Sequence, residues 1–287
     1  MRTLRTVAEV REAVRAARAE GRTVGLVPTM GAFHAGHVSL MERARAETDV
    51  VVVSLFVNPA QFGPNEDLAA YPRDEARDAA LAAEAGVDVL FAPPVEEVYP
   101  AGFQTSVTVG ALAEPLEGAQ RPGHFDGVAT VVVKLLNMVG PDAAFFGQKD
   151  AQQALIVRRV VRDLDVPVRI EVCPTVREPD GLAMSSRNAY LAPPERARAV
   201  ALRRALDAAE QAVAAGERDA GAVATAAHDA MAPYGVEPEY LALVDAENLA
   251  AVDRIDGQIL VALAARVGRA RLIDNTLITA ESTNGRP

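Results

Sequence analysis

Two hydrophobic periods alternate along the first 175 residues of the chain. Short apolar runs with the composition of strands recur, and stretches with the 3.6-residue apolar period of helices separate most of them. The predicted strands are 23–27, 50–57, 87–92, 143–146 and 166–173, and the predicted helices include 7–20, 73–85 and 151–164. Strands that alternate with helices form a parallel sheet that is covered on both faces. This region therefore predicts an α/β fold with a doubly wound, Rossmann-like parallel sheet.

The pattern changes after about residue 175. Long alanine-rich helical stretches cover 195–216 and 219–231, and strand-like runs follow at 236–244, 258–267 and 269–274. Helices and strands that are segregated in this way are typical of an α+β domain. We therefore divide the chain into a first domain, residues 1–175, and a smaller C-terminal α+β domain, residues 176–287.

The most informative segment is the loop 28–37, which follows the predicted strand 23–27 and precedes a helical pattern. A loop that enters a helix presents unpaired N–H groups and the positive end of the helix dipole, and both attract phosphate. His34 and His37 lie three positions apart, so one helix face can direct both imidazoles at phosphate oxygens. The two glycines of the loop allow a close approach of the backbone. The segment is therefore suited to a nucleoside triphosphate.

Composition narrows the class of protein further. The formal net charge is −10 and no run of Lys and Arg occurs, which argues against nucleic-acid binding. The N-terminus lacks the pattern of a secretory signal and no apolar run is long enough to span a membrane, so we expect a cytoplasmic protein. The single cysteine, Cys173, excludes an internal disulfide, and we predict it to be a buried apolar side chain.

Five separated motifs stand out along the chain, at 28–37, 56–62, 121–127, 146–150 and 184–188. In their residues and their order they resemble those of the pantoate–β-alanine ligase family, within the nucleotidyltransferase superfamily that carries a His-x-Gly-His motif. The resemblance extends from the first predicted helix to about residue 275. It implies that ATP drives the condensation of pantoate with β-alanine through a pantoyl adenylate, giving pantothenate, AMP and pyrophosphate. It also implies Mg²⁺ with the ATP, and a homodimer.

The resemblance further implies roles for individual residues. His37 is expected to be catalytic, His34 to assist it, and Lys149 to lie at the phosphates. We expect the loop 184–187, at the boundary of the two domains, to let the C-terminal domain close over the nucleotide. The residues implied for ATP binding are Met30, Gly31, Ala32, Phe33, His34, Ala35, Gly36, His37, Gly147, Gln148, Lys149, Asp150, Val176, Met184, Ser185, Ser186 and Arg187.

Pantoate requires donors for a carboxylate and a hydroxyl. Asn58, Gln61 and Gln153 lie at a predicted strand end or helix start and offer such amide donors, so we predict that they bind pantoate. The resemblance implies that the two glutamines bind pantoate and that Gln61 also faces β-alanine. The side chains predicted as apolar walls of this pocket are Phe56, Phe62 and Tyr71.

Five polar residues near these motifs have less definite roles. Arg121, His124 and Asp126 precede the helical run 128–138, where we expect them to order the pocket or its entrance, with a purely structural role as the alternative for His124. Asp150 is predicted to cap the helix that follows it. No set of residues with metal-ligand spacing is found. Asp78 is a candidate for a carboxylate near Mg²⁺, but we expect it to be solvated because it lies in a helical stretch.

Two other functions remain open on the sequence. A nucleotidyltransferase of the same superfamily would transfer AMP or CMP to a phosphate ester and would need no amine. A nucleotide-sensing protein with a decayed site would bind nucleotide and release no pyrophosphate. All polar residues of the five motifs are present, which disfavours the second alternative.

Overall fold

The structure is a computed structural model, and it describes residues 1–64, 66 and 68–280. The chain separates into two compact units, Met1–Pro174 and Thr175–Pro287. The α/β class of the first unit and the α+β class of the second, both predicted from the hydrophobic pattern, are confirmed. Within the part of the chain that the structure describes, no helix is long and apolar enough to cross a membrane.

Unit 1 contains a six-stranded sheet whose order is β1-β4-β3-β2-β5-β6, and every neighbouring pair is parallel. The helices α2 and α3 cover one face with the side chains of a buried cluster, and α6 contacts β2 and packs with α1 and α7. The bounds are β1 Arg2–Leu4, α1 Val7–Ala19, β2 Val24–Thr29, α2 Ala35–Glu47, β3 Val50–Leu55, α3 Glu75–Glu84, β4 Val89–Phe91, α4 Val95–Val98, α5 Glu117–Gln120, α6 His124–Val139, β5 Ala143–Gly147, α7 Ala151–Asp163 and β6 Arg169–Cys173.

The strand order determines where a ligand can bind in unit 1. From β2 the chain adds β3 and β4 on one side, and it then returns to add β5 on the other side of β2. Ligands of open parallel sheets bind at such a reversal, beyond the carboxyl ends of the strands. These ends are Thr29 of β2 and Gly147 of β5, and the two phosphate-type motifs of the sequence follow them directly.

Unit 2 is built on an antiparallel sheet in the order β7-β8-β9, and α9 and α10 contribute to its buried core. The bounds are α8 Pro193–Ala199, α9 Ala201–Ala214, α10 Ala220–Asp229, β7 Pro238–Asp245, β8 Gly257–Val267 and β9 Ala270–Ala280. Strands β8 and β9 pair along their whole length, from Val267 with Ala270 to Gly257 with Ala280.

Three differences from the predicted elements have local causes. The predicted helix 195–216 is two helices, α8 and α9, separated by Val200, whose backbone angles remain helical. The last strand continues to Ala280 and not to 274, because the polar run 274–276 that interrupts its apolar pattern still pairs with β8. The edge strand β1 was not predicted, because three residues are too few to show the alternating apolar period of a strand.

Cys173 is 7 % exposed, and burial raises the pKa of its thiol, as expected of a buried apolar side chain.

Candidate active site

The loop between β2 and α2 makes its turn with left-handed backbone at Gly31 and Ala32, whose φ angles are +90° and +54°. A Cβ atom on Gly31 would lie 2.7 Å from Leu55 Cδ1 and 3.0 Å from a carboxylate oxygen of Asp78. Glycine is therefore required at position 31 for space as well as for conformation. The next side chain, Phe33, is fully buried, and its ring centroid lies 5.5 Å from that of His37.

The two histidines of this loop cap the start of α2 reciprocally. The Gly36 N–H donates to His34 Nδ1 at 3.1 Å, and the His34 N–H donates to His37 Nδ1 at 3.3 Å. A ring nitrogen that accepts a hydrogen bond carries no proton, so each neutral imidazole has its hydrogen on Nε2. The ring centroids are 4.2 Å apart. The two Nε2–H groups are therefore hydrogen-bond donors that the capping contacts leave available.

Burial keeps both rings neutral. It lowers the pKa of His37 to about 3, and the repulsion that a proton on His37 would meet from a protonated His34 and from Lys149 acts in the same direction. Burial likewise lowers the pKa of His34 to about 4, with Lys149 as the next cause. Both groups are thus uncharged at neutral pH, which agrees with the acceptor role of their Nδ1 atoms.

Asp78 holds the same loop from the other side. Its carboxylate accepts the N–H groups of Ala32 and Phe33, both at 2.8 Å, and the residue is 1 % exposed. The expectation that Asp78 is solvated is therefore wrong, because the first turn of α3 directs it inward at the loop. Sequence alone did not show this contact, since it joins residues 45 and 46 positions apart.

Lys149 lies beyond the end of β5, in the short 3₁₀ helix Gln148–Asp150 that follows Gly147. Its side chain is 20 % exposed, and Nζ lies 3.8 Å from a carboxylate oxygen of Asp150. Asp150 is the residue before α7, but its side chain makes no capping hydrogen bond there, so the predicted capping role is wrong. The lysine lies close enough to both histidines to influence their pKa values. The strand reversal thus brings the two phosphate-type motifs together.

Asn58 is fully engaged within the protein. Its Oδ1 accepts the Tyr99 hydroxyl at 2.8 Å and the Ala60 N–H at 3.2 Å, and its Nδ2 donates to Gln61 Oε1 at 3.0 Å and to the Gly127 carbonyl at 3.1 Å. The residue is 1 % exposed. These contacts use all four hydrogen-bonding positions of the amide. Asn58 therefore orients Gln61 in this structure and offers no donor of its own to a ligand.

Gln61 connects this segment to the loop between β2 and α2. Its Nε2 donates to the Met30 sulfur at 3.2 Å, and a thioether is a weak acceptor that a better ligand can replace. Gln153 lies half-buried in the first turn of α7. Its neighbour Gln152 is buried and bonded to the backbone of Leu112, Pro115 and Glu117.

The aromatic side chains near Gln61 form two contacting pairs. The ring centroids of Phe56 and Tyr99 lie 6.2 Å apart, and those of Phe62 and Tyr71 lie 5.9 Å apart, edge to face. Phe56 and Tyr71 are buried, whereas Phe62 is half-buried. The sequence did not single out Tyr99, whose hydroxyl bonds Asn58.

The predicted nucleotide residues of unit 2 lie on a tight hairpin and on the start of the 3₁₀ helix that follows it. The Met184 N–H donates to the Val176 carbonyl at 3.0 Å, and Arg177 bridges to Ala183 in antiparallel fashion. Ser185 caps the 3₁₀ helix Ser186–Tyr190 by accepting the Arg187 N–H at 3.3 Å.

A buried ion pair anchors this hairpin within unit 2. Arg177 donates to both carboxylate oxygens of Asp274, at 2.6 and 3.0 Å, and the Asp274 side chain is fully buried. Sequence reasoning missed both residues, because Asp274 interrupts the apolar pattern of its strand. Among residues 1–64, 66 and 68–280, no group of three metal-ligating side chains is found.

Comparison with known proteins identifies the family. The family model described as pantoate-beta-alanine ligase matches residues 2–277. The chain belongs to the pantoate-beta-alanine ligase family. Pantothenate synthetase of Moorella thermoacetica is 54 % identical to this ligase over 279 residues, which cover 97 % of the chain and 99 % of the relative. That of Agrobacterium fabrum is 55 % identical over 285 residues, covering 99 % and 98 %. The resemblance seen in the sequence is thus confirmed.

Solved structures agree with the fold of this ligase. The crystal structure of pantothenate synthetase from Thermus thermophilus has a TM-score of 0.92 at 51 % identity, covering 96 % of this chain and 99 % of that one. Pantoate-beta-alanine ligase from Francisella tularensis, complexed with beta-gamma ATP and beta-alanine, has a TM-score of 0.79 at 34 % identity, covering 96 % and 97 %.

Replacing Asp78 by Asn should impair the use of ATP. The amide can accept only one of the two loop N–H groups, and its NH₂ opposes the other. Because hydrogen bonds to a charged group contribute about 1.5–3 kcal/mol, we expect kcat/KM for ATP to fall by ~10-fold or more. Asp74→Asn is the matched control, because Asp74 caps α3 and Asn caps equally well. A normal kcat/KM for ATP in Asp78→Asn would contradict the role of this contact.

The neutral His37 should make the ligase sensitive to acid. Its folded pKa is about 3, below the unfolded value near 6.5, so between these values the unfolded chain binds more protons and stability falls as the pH falls. His37→Asn retains an acceptor for the cap but does not titrate. We expect the slope of unfolding free energy against pH, measured in urea between pH 4.5 and 5.5, to be smaller by about 1.4 kcal/mol per pH unit in this variant. Equal slopes would mean that His37 is protonated in the folded protein.

Proposed function

We propose that this ligase condenses pantoate with β-alanine in two steps at the carboxyl ends of β2 and β5. In the first, a pantoate carboxylate oxygen attacks the α-phosphorus of ATP, the bond to the β-phosphate breaks, and pyrophosphate leaves. In the second, the β-alanine amine attacks the acyl carbon, the bond to AMP breaks, and the amine loses its extra proton to solvent. The observation that carries this proposal is the pair of neutral histidines, His34 and His37, beside Lys149 at the strand reversal.

The protonation state of the histidines limits what they can contribute. A neutral imidazole donates a hydrogen bond from Nε2 to a phosphate oxygen and adds no net charge. With a pKa of about 3, His37 stabilises charge at the α-phosphate as a donor and does not act as a general acid. The positive charge must then come from Lys149, Arg187 and the metal ion. His37 is thus assigned the hydrogen-bond donor, and the cations are assigned the positive charge.

The pantoate site in this proposal uses Gln61 and Gln153 as direct donors, and Gln61 also faces β-alanine. Asn58 is reassigned from a pantoate ligand to a residue that orients Gln61, because its amide is saturated inside the protein. The aromatic pair of Phe62 and Tyr71 supplies an apolar wall for the gem-dimethyl group.

We assign Val176 and the segment 184–187 to the nucleotide, on the support of their motif and of the hairpin that holds them together. Closure of the second unit over the nucleotide stays a prediction. So do the homodimer and the cytoplasmic location.

The proposal includes Mg²⁺ bound mainly by the phosphates of ATP. A triphosphate carries this ion with several waters and needs only one or two carboxylates from the protein. Asp150 fits that mode, because its half-exposed carboxylate lies beside Lys149, where it could supply one such ligand. Bound Mg²⁺ would offset the charge of the triphosphate.

Incubation with ATP, Mg²⁺ and pantoate, with and without β-alanine, tests the proposed function when the products are followed by mass. We expect pyrophosphate and pantoyl adenylate with pantoate alone, and conversion to AMP and pantothenate when β-alanine is added. Pyrophosphate release only with a phosphate-ester acceptor would indicate a nucleotidyltransferase instead. Nucleotide binding without any pyrophosphate release would indicate a nucleotide sensor.

Two substitutions of His37 separate its donor from its capping acceptor. Asn retains an acceptor near the Nδ1 position and lacks the distal donor, whereas Gln places an amide donor near Nε2. Loss of one preorganised donor typically costs ~10²–10³ in turnover, so we expect a loss of this size in His37→Asn and a smaller one in His37→Gln. Pre-steady-state measurement of pyrophosphate release reports the relevant step. Near-normal turnover of His37→Asn would rule out a donor role for Nε2.

A further inference from the structure

The main chain of Gln61 is held by two side chains from the segment that begins α6. The carbonyl oxygen of Gln61 lies 2.8 Å from His124 Nδ1, and it accepts a longer hydrogen bond from Arg121 Nη2 at 3.3 Å. His124 is 9 % exposed. One ring nitrogen of a buried histidine is thus used on the backbone of a residue that we assign to pantoate.

The contacts of His124 determine its tautomer. Arg121 Nη1 lies 2.9 Å from His124 Nε2, and because a guanidinium can only donate, Nε2 must be the acceptor. The ring hydrogen is therefore on Nδ1, from which it is donated to Gln61. Burial, followed by the charge of Arg121, lowers the pKa of His124 to about 4, so the ring is neutral. This tautomer is the opposite of the one in His34 and His37.

Glu66 fixes the orientation of the guanidinium. Arg121 donates from Nε and Nη2 to the two carboxylate oxygens of Glu66, both at 2.6 Å, in the bidentate geometry that orients an arginine most strongly. The Arg121 and Glu66 side chains are 20 % and 24 % exposed. The arginine lowers the pKa of the Glu66 carboxyl, which stays ionised. With Nε and Nη2 of the guanidinium held by Glu66, Nη1 is directed at His124.

The backbone of α6 also touches the Gln61 segment directly. A Cβ atom on Gly127 would overlap the Ala60 carbonyl and would lie 2.8 Å from Gln61 Cα, so only glycine allows this approach. The Gly127 carbonyl in turn accepts from Asn58. Side-chain and backbone contacts of α6 therefore converge on the short segment from Asn58 to Gln61.

We propose that Arg121 and His124 are positioning residues that hold the Gln61 main chain so that its amide faces pantoate. This inference rests on the proposed function. Among the described residues, the Gln61 side chain has a weak contact to Met30 and one to Asn58, so its direction follows the placement of its backbone. Small displacements of a binding group are costly because its geometry must match the ligand closely. The effect falls on pantoate and leaves ATP binding unchanged.

The experiment uses two replacements of His124 that are both polar and differ in where the donor lies. In Asn the amide nitrogen falls near the position of Nδ1, from which it can reach the Gln61 carbonyl, whereas in Gln it falls near Nε2. We expect KM for pantoate to rise ~10-fold or more in His124→Gln and to stay within about threefold in His124→Asn. The Kd of ATP, measured without pantoate, should change by less than about twofold in both. His228→Gln, an exposed histidine of α10 paired with Glu237, is the control and should match the wild type.

A second arm shows whether His124 acts through Gln61. In a background that carries Gln61→Ala, the effect of His124→Gln on kcat/KM for pantoate should disappear, because the group that is being positioned is gone. Additive effects in the double variant would overturn the proposal. So would an unchanged KM for pantoate in His124→Gln, or a parallel loss of ATP affinity, pantoate affinity and Tm, which would indicate a structural role only.

The same assays separate this inference from the proposed function. If the wild-type protein releases no pyrophosphate with pantoate, the proposed function fails and the inference fails with it. If the wild type does release pyrophosphate with pantoate and His124→Gln behaves like it, only the inference fails.

Discussion

The reciprocal capping of His34 and His37 is the interaction on which the chemistry of the site depends. Two backbone N–H groups at the start of α2 have no partner within the helix, and each is satisfied by an imidazole nitrogen. This one arrangement begins the helix, selects the tautomer of both rings and places their remaining hydrogens on the far nitrogens. Histidine here takes the place of the Ser, Thr or Asp that usually caps a helix, and its ring carries a second nitrogen on the side away from the cap.

The electrostatics of unit 1 follow from the same contacts. Beside the two neutral rings, Lys149 is the positive charge with the larger effect on the pKa of His34 and Arg77 a further one, in surroundings where burial is sufficient to lower the pKa of both imidazoles. Charges act strongly in such surroundings. The three histidines of unit 1, His34, His37 and His124, are all uncharged, but they use different nitrogens because their neighbours differ.

The fold and much of the site could be predicted from the sequence where the signal is local. Strand and helix periods are local, as is the loop motif around His34 and His37, so these were found. The contact of Asp78 with the loop between β2 and α2 and the ion pair of Arg177 with Asp274 join distant segments, and no period or spacing reveals them. Asn58 illustrates the same limit of sequence-based prediction. Its amide could bind a ligand, but only the structure shows that neighbouring groups already use all its hydrogen-bonding positions.

The carboxylate of Asp78 has a consequence for the thermodynamics of nucleotide binding. A turn with two left-handed residues, Gly31 and Ala32, directs successive N–H groups to one side, and such a concavity attracts anions. Here the protein supplies its own anion, so the turn is already formed before any phosphate arrives. Ordering a flexible loop would otherwise reduce the affinity by its lost conformational entropy. In the proposed function that entropy is lost during folding of the chain, and ATP would meet a turn whose N–H groups Asp78 already holds.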